Sequence, residues 1–265
     1  MTNNFAQTHM FDNKFFWEHD RYCGLETERI NYTASWIPLD TISIIDVGCG
    51  NGILVNNLKT SHLVVGVDRS FSAIMYVKRN PCQAVVFDLP FADQSFDVGI
   101  GTEVLEHLPI KVFKKSLSEI CRVSRKYILI TVPNKENLIY GHVECPKCKC
   151  HFHPDFHMQS FNRNKLVSMF SDLDLPFKLL KIKGIFPFWN LKGVDFVRKL
   201  LGMPVDFPLF AICPQCGYFS ERPSFTGDRR ITQLKKMIKE TVKSIWPYRI
   251  REYRWLIALY AREIK

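Results

Sequence analysis

A glycine-rich turn after a short apolar stretch constrains the fold of this chain more than any other feature. Residues 44–52 read Ile-Ile-Asp-Val-Gly-Cys-Gly-Asn-Gly, so a buried strand runs into three closely spaced glycines and then into a helical pattern. Glycine tolerates a left-handed backbone and lets a ligand approach the main chain closely. Asp68 ends the next apolar run, at the spacing from which a carboxylate reaches ribose hydroxyls. The pattern predicts a nucleotide-like ligand at a strand–helix turn.

The spacing of the glycines separates this turn from the pyrophosphate-binding kind. A dinucleotide fingerprint runs G-x-G-x-x-G, whereas here the third glycine, Gly52, comes one position early. This speaks against a dinucleotide. The alternative that remains is a tight strand–helix turn that binds nothing.

Strands and helices alternate through the first half of the chain, which is the pattern of an α/β fold. Apolar runs predict five strands in that half, at 42–47, 63–67, 84–87, 96–100 and 127–132. Helices are predicted at 53–58, 70–79 and 111–123, and residues 1–40 read as an N-terminal helical segment. The second half adds helices at 162–173 and 230–246 and strands at 177–185 and 255–261.

Three further motifs follow the glycine turn in a fixed order. They are Ala-Val-Val-Phe-Asp-Leu-Pro-Phe at 84–91, Ser-Phe-Asp-Val-Gly-Ile-Gly-Thr-Glu-Val-Leu-Glu-His-Leu at 95–108, and Tyr-Ile-Leu-Ile-Thr-Val-Pro-Asn at 127–134. Together with the glycine turn they resemble the class I S-adenosylmethionine-dependent methyltransferases of the Methyltransferase-11-like kind. The resemblance runs through 42–185 and returns at 254–265. It implies a Rossmann-like, doubly wound sheet of seven strands, six parallel and the last antiparallel, with insertions after strands five and six.

The resemblance also implies where S-adenosylmethionine would bind. The glycine turn would pass under its methionine part, Asp68 would accept from the ribose hydroxyls, and Asp88 and the Leu89 amide would hold adenine. Thr102 and Glu103 would line the methionine end. The implied cofactor-binding residues are Asp46, Gly48, Cys49, Gly50, Asn51, Gly52, Asp68, Arg69, Asp88, Leu89, Thr102 and Glu103.

Two residues after the fourth strand are the candidate catalytic groups. His107 lies where the resemblance puts the methyl group, and it is the candidate base because an oxygen or nitrogen acceptor must lose a proton. The alternative is a structural histidine bonded to the backbone. Glu103 is expected to position cofactor or substrate, and Glu106 is expected to face solvent.

Two Cys-Pro-x-Cys pairs predict a metal site. Cys145 and Cys148 form one pair, Cys213 and Cys216 the other, and four thiolates suit tetrahedral, structural Zn²⁺. Because 64 residues separate the pairs, tertiary structure must bring them together as a zinc-ribbon-like lid. Free thiols in loops are the alternative, and the competing ligands are Cys150, His151, His153 and His157.

Nine cysteines without a signal-peptide pattern indicate a reducing compartment, so a cytoplasmic protein is expected. No apolar run approaches the ~20 residues of a spanning helix. Residues 221–265 carry seven of the ten net positive charges, which attract anions. The basic helix at 230–246 could touch a membrane surface. The sequence leaves the oligomeric state open.

The domain and function predictions combine these features. Residues 1–40 would be a helical segment and 41–265 the methyltransferase domain, with insertions 134–161 and 186–254 forming a zinc-stapled lid. The predicted activity is S-adenosylmethionine-dependent methylation of an oxygen on a glycan or small metabolite. The alternatives are an RNA methyltransferase and a non-catalytic, cofactor-binding interaction protein.

Overall fold

The main sheet has seven strands, in the order β3-β2-β1-β4-β5-β9-β8. In this computed structural model, residues 11–18, 24–138, 142–191, 211–219 and 249–263 are described. The strands are β1 Ser43–Val47, β2 Leu63–Asp68, β3 Pro81–Gln83, β4 Phe96–Thr102, β5 Ser124–Pro133, β8 Phe177–Leu191 and β9 Arg249–Arg262. The two strands β6 Val143–Glu144 and β7 His151–Phe152 form a separate hairpin.

The strand directions confirm the predicted fold class. Strand β1 pairs in parallel with β2 and β4, β2 with β3, and β4 with β5. Strand β9 is antiparallel to both of its neighbours, β5 and β8. Six strands therefore run in one direction and the last one opposes them, as in a Rossmann-like methyltransferase fold.

Helices cover the sheet and bury its strands. The α-helices are Lys14–Glu18, Leu25–Ala34, Ile53–Asn57, Phe71–Ile74, Ile110–Val123 and Arg163–Ser168. Strand β1 is buried along its whole length, and β4 along all but its last residue. Strands covered on both faces read as continuous apolar runs, which is why the sequence located them well.

The third strand and the second helix differ from their predicted positions. The third strand was expected at 84–87 but lies at Pro81–Gln83, because pairing with β2 ends at Asp68 and the chain turns between Val85 and Asp88. The helix expected at 70–79 ends after Ile74. Its predicted cap is present, since the Ser70 hydroxyl accepts from the Ala73 N–H.

The last two strands are longer than the sequence indicated. They were expected at 177–185 and 255–261, but their pairing continues to Leu191 and Arg249. Pro187 within this extension is tolerated because β8 is the outermost strand of the sheet. Beyond the end of β5, opposite Trp255, these two strands pair only with each other and project from the carboxyl edge of the sheet.

The expected helix at 230–246 lies outside the described residues, as does most of the basic region between 220 and 248. Within the described part of the chain, no helix is long and apolar enough to cross a membrane.

Candidate functional site

The glycine turn leaves β1 with a left-handed backbone at each glycine. Gly48, Gly50 and Gly52 have φ of 72°, 55° and 75°. A Cβ at Gly48 would lie 2.4 Å from a methyl carbon of Val104. Only glycine fits such a position without strain. The turn can form here because Gly48 has no side chain. Cys49, between the first two glycines, is buried.

Asp68, predicted to hold ribose, lies at the end of β2 beside this turn. One carboxylate oxygen accepts from the Gly50 N–H at 2.9 Å, and the other accepts from the Ser70 N–H at 2.8 Å. Burial raises the pKa of Asp68, while these two hydrogen bonds lower it. The carboxylate is thus fixed in direction and tied to the glycine turn.

Asp46 is the most unusual side chain of the site. It is 1% exposed, and neither carboxylate oxygen has a hydrogen-bond partner among the described residues. Burial and the nearby Asp68 carboxylate raise the pKa of Asp46 to about 7. The side-chain oxygen of Asn51, in the same turn, is likewise buried without a described partner. Buried polar groups are normally hydrogen-bonded, so these oxygens fit a ligand that carries hydrogen-bond donors or a positive charge.

Open space lies beside the end of β4. Gly101 is buried, yet a Cβ added there would meet no atom of the described residues within 4 Å, apart from its chain neighbours. The next residues are Thr102 and Glu103, and Glu103 has a left-handed φ of 55°. One oxygen of Glu103 accepts from the Trp255 indole N–H at 2.8 Å, and the other lies 3.9 Å from Arg29. Glu103 is therefore held as a paired carboxylate at the rim of this space.

The two predicted adenine-binding residues, Asp88 and Leu89, differ in their exposure to solvent. Asp88 is exposed and belongs to the turn after β3. Leu89 is buried, and its N–H donates to a Glu119 oxygen at 2.8 Å. That amide cannot donate to an adenine ring while it donates to Glu119. Arg69, also predicted to contact cofactor, is exposed and lies over the Phe11 ring.

The sequence did not reveal that an N-terminal segment covers the site. The Trp17 ring lies against Gly50, and its indole N–H donates to the Phe11 carbonyl at 2.6 Å. The Phe11 ring lies 5.4 Å from the His107 ring, centre to centre. The aromatic richness of residues 1–40 was the only signal, and it carries no information on where these rings pack.

His107 stands among further titratable groups that the sequence did not place together. Its ring centre lies 4.7 Å from that of His157, which stacks on His153 at 5.0 Å. Burial and the nearby His157 hold the pKa of His107 well below its ordinary value. Its imidazole is therefore neutral near pH 7.

Glu106 corrects an expectation, because it is fully buried instead of solvated. Burial and the nearby Glu103 charge raise its pKa well above the ordinary value. Its backbone carbonyl accepts from the N–H groups of Met158 and Gln159, at 2.7 and 3.1 Å. The loop that follows β7 is thereby fastened to the end of β4.

The four predicted metal-binding cysteines meet at one point. The sulfurs of Cys145, Cys148, Cys213 and Cys216 all lie within 4.8 Å of one another. Two of the separations are 3.7 Å, between Cys145 and Cys216, and 3.5 Å, between Cys148 and Cys213. A tetrahedral zinc with Zn–S bonds of about 2.3 Å separates its sulfurs by roughly 3.8 Å. The donor set and spacing therefore fit a zinc ion.

The two cysteine turns have the same backbone hydrogen bonds. Cys145 and Cys213 each accept, at the carbonyl, from the N–H four residues later, at 3.0 and 2.9 Å. Each also donates its own N–H to the carbonyl five residues later. The matching positions Lys149 and Gly217 both have a left-handed φ, of 62° and 67°. Two separate segments thus fold into the same turn, each with two cysteines of the group of four.

The cysteine unit has its own apolar core, which reaches the N-terminal segment. Phe152, Phe156 and Ile212 are buried in it, and Phe11 and Phe16 pack against it. Cys150, one of the competing ligands, lies 3.2 Å from the Cys213 sulfur but outside the group of four.

Known proteins that resemble this chain include a domain family, two curated relatives and several solved structures. Residues 45–128 match a family described as a methyltransferase domain. An uncharacterized protein of Methanocaldococcus jannaschii is 33% identical over 101 residues, 36% of this chain and 43% of that protein. A ubiquinone biosynthesis O-methyltransferase of Brucella anthropi is 27% identical over 116 residues, 39% of this chain and 46% of that protein. The chain thus spans less than half the length of the curated relatives it matches.

Solved structures share the fold over nearly the whole chain. One belongs to the complex between the Haloferax volcanii Trm112 methyltransferase activator and a methyltransferase, with TM-score 0.56, 13% identity and 98% of both chains covered. Another is a Burkholderia thailandensis 1,6-didemethyltoxoflavin-N1-methyltransferase with bound S-adenosylhomocysteine, with TM-score 0.52, 10% identity and 99% and 87% of the chains covered. The matched segment indicates a methyltransferase domain at residues 45–128, and these solved structures show its Rossmann-like fold.

Proposed function

We propose that this protein transfers the methyl group of S-adenosylmethionine to an oxygen of a small metabolite or a glycan. The observation that carries the proposal is the buried carboxylate of Asp46, which has no hydrogen-bond partner in the described part of the chain. It lies at a glycine turn, beside open space at the end of β4. A buried carboxylate is costly without a cation or a donor. S-adenosylmethionine supplies both, because its sulfonium is cationic and its amino group is charged.

The chain's own residues divide the work of holding this cofactor. The turn from Gly48 to Gly52, with Cys49 and Asn51, would hold the methionine part with Asp46. Asp68 would take the ribose hydroxyls with the lone pairs that its two backbone hydrogen bonds leave. Asp88 and Arg69 would lie on the open, adenine side, where both are exposed. Thr102 and Glu103 would face the reacting end.

The acceptor would enter at the end of β4, between Glu103 and His107. Bound S-adenosylmethionine would supply an activated methyl group on a positively charged sulfur. Much of the rate acceleration of such a displacement comes from holding the acceptor atom in line with the methyl group and the sulfur. His107 offers a neutral imidazole with a lone pair, which can accept a proton or bind a cation. Glu103, held by Trp255 and Arg29, would orient the acceptor or the cofactor.

Zinc at Cys145, Cys148, Cys213 and Cys216 would have a structural role. Four thiolates complete a tetrahedron and leave no position for a substrate. The ion would join the segments 142–152 and 211–219, which leave the sheet after β5 and β8. Because Phe11 and Phe16 pack on this unit and Trp17 covers Gly50, the unit would hold a lid over the cofactor.

The choice of an oxygen acceptor draws on one relative, the ubiquinone biosynthesis O-methyltransferase. The net charge of +10 suits an anionic acceptor, which a phosphorylated metabolite or glycan provides.

The test is transfer of radiolabelled methyl groups from S-adenosylmethionine into a fractionated cell extract. Label in the small-molecule or glycan fraction is the expected result. Label that ribonuclease releases would overturn the acceptor class in favour of RNA. Saturable cofactor binding without label in any fraction would overturn the enzyme and leave a cofactor-binding interaction protein. Zinc content measured on the same purified protein should approach one equivalent.

A further inference from the structure

A second group of metal-binding residue types lies apart from the four cysteines. We call it the histidine–glutamate cluster, and it consists of Glu106, His107, Glu136, His153 and His157. Ligand atoms of Glu106, His107 and His157 lie within 4.8 Å of one another, and so do those of Glu136, His153 and His157. The cysteine site needs none of these side chains.

Glu106 is the side chain whose burial lacks an explanation. It has 0% exposure, and neither carboxylate oxygen has a hydrogen-bond partner among the described residues. Removing a carboxylate from water without compensation costs several kcal/mol. Its backbone carbonyl holds Met158 and Gln159, so the residue is also fixed in place. A cation beside the carboxylate would offset the cost.

The histidines are oriented in the way that metal-binding histidines are. His157 contacts a Glu136 oxygen through Nδ1, which leaves Nε2 as the nitrogen it can offer to a metal. His107 bonds through its ring to the Phe156 backbone. A metal-ligating histidine usually donates its second ring N–H to a carboxylate or to a backbone carbonyl. The two rings meet edge to face with centres 4.7 Å apart.

We propose that Glu106, His107 and His157 bind a divalent transition-metal ion, with Glu136 as the residue that orients His157. Two imidazoles and one carboxylate with open positions suit Mn²⁺, Fe²⁺ or Zn²⁺. His153 lies 3.4 Å from the other oxygen of Glu136 and fixes that carboxylate from the opposite side. A His107 that ligates a metal cannot also act as the general base.

The metal would also bear on the acceptor, a consequence that rests on the proposed function. Glu103 and Glu106 belong to the same turn after β4, so the ion would lie next to the acceptor entrance. A divalent ion lowers the pKa of a hydroxyl bound to it. This favours an acceptor with a hydroxyl that can reach the ion.

The test is a titration of the purified protein with Mn²⁺. Binding is measured as the loss of the electron paramagnetic resonance signal of the free ion. Mn²⁺ is the probe because it prefers oxygen and imidazole ligands to thiolates. The protein is first freed of loosely bound metal with a mild chelator, and its zinc content is measured afterwards. We expect one Mn²⁺ per chain and a higher melting temperature when Mn²⁺ is present.

The variants decide where the ion binds. Glu106→Gln keeps the shape, removes a buried charge and should fold, yet it should lose Mn²⁺ binding and the Mn²⁺-dependent rise in melting temperature. His157→Gln should lose binding too, and Glu136→Gln should weaken it by about 10- to 100-fold, the usual effect of a residue that orients a ligand. His62→Gln, a histidine at the start of β2, is the control and should bind as the wild type.

Three results would overturn the site. They are no Mn²⁺ binding by the wild type, unchanged binding by Glu106→Gln and His157→Gln, or binding that is lost in a folded Cys213→Ser variant but kept in Glu106→Gln. Because binding is measured without S-adenosylmethionine, failure of the metal site leaves the proposed methyl transfer standing. Conversely, absence of methyl transfer leaves the metal result unaffected.

Discussion

Two buried aspartates on neighbouring strands, Asp46 on β1 and Asp97 on β4, show how the two edges of the sheet differ. Each is 1% exposed. Asp97, at the amino edge, accepts from the Ile42 and Ser43 N–H groups at 2.9 and 3.1 Å and from Arg125 at 2.6 Å. Asp46, near the carboxyl edge, has no described partner for either oxygen.

Their titration differs accordingly. Burial alone would raise the pKa of both. At Asp97 the Arg125 guanidinium and the backbone N–H groups outweigh burial and lower its pKa to about 2. At Asp46 burial prevails, and its pKa is raised to about 7. Asp97 at the amino edge therefore stabilises the fold, while Asp46 near the carboxyl edge has no described partner and would be available to the proposed cofactor.

The largest expected effect is at the amino edge. Asp97→Ala leaves two backbone N–H groups and Arg125 without their acceptor, so the free energy of unfolding should fall by about 3 kcal/mol. The affinity for S-adenosylmethionine should not change. Urea unfolding and cofactor titration of the same preparation measure the two quantities. If Asp97→Ala lost affinity for S-adenosylmethionine at unchanged stability, Asp97 would be a binding residue, and the two edges would not differ in role.

The pH dependence of stability should carry opposite signs for the two residues. The Asp97 contribution, about 2 to 3 kcal/mol, is present above its unfolded pKa near 4 and is lost as the pH falls toward 2. Asp46, with its raised pKa, stabilises the ligand-free protein below pH 4 and loses that contribution as the pH rises through about 7.

Unfolding curves from pH 2 to 8 for the wild type, Asp97→Asn and Asp46→Asn separate these windows. In Asp97→Asn, the loss of unfolding free energy at acid pH should be smaller than in the wild type, with no other change. In Asp46→Asn, only the decrease in unfolding free energy between pH 4 and 7 should be smaller. The difference from the wild type removes the parallel contribution of Glu106, whose pKa is also raised. A shared window for both variants would contradict the assignment.

At the carboxyl edge, Asp46→Asn should weaken S-adenosylmethionine binding by about 10-fold or more, the value of a lost hydrogen bond to a charged group. At pH 7 the variant should be at least as stable as the wild type, because it removes a buried carboxyl group whose ionisation destabilises the ligand-free protein and which has no described partner. Calorimetric titration and urea unfolding check both values. Destabilisation without loss of affinity would make Asp46 a structural residue.

The smallest effect is expected for Gly101→Ala. Its Cβ would enter open space, so stability should change by less than about 0.5 kcal/mol. Cofactor or acceptor binding should weaken by a few fold. Gly99→Ala is the matched control, since its Cβ would meet the Ser124 hydroxyl at 2.2 Å, and overpacking should cost about 1 to 3 kcal/mol without altering binding.

The sequence predicted the sheet and the glycine turn because both depend on local patterns. Apolar runs marked the strands, and closely spaced glycines marked the left-handed turn at 48–52. The convergence of the two cysteine pairs was predictable from ligand chemistry alone, although the segments are far apart in sequence.

What the sequence missed depends on tertiary contacts. Glu106 looks like any polar residue after a strand, and only the loop that returns over it at Met158 makes it buried. The packing of Phe11 on His107 and of Trp17 on Gly50 joins residues that are distant in the sequence. No periodicity encodes such contacts. The extension of β8 through Pro187 likewise depends on its place in the sheet, because a proline is tolerated in an edge strand.

Isothermal titration of the purified protein with S-adenosylmethionine is the most direct measurement of whether the carboxyl edge is a cofactor site. We expect saturable binding of one molecule per chain in the wild type, much weaker binding in Asp68→Ala and Asp46→Asn, and unaltered binding in Asp97→Asn. No detectable heat with either S-adenosylmethionine or S-adenosylhomocysteine at several temperatures, or equal affinities in all four proteins, would contradict the account.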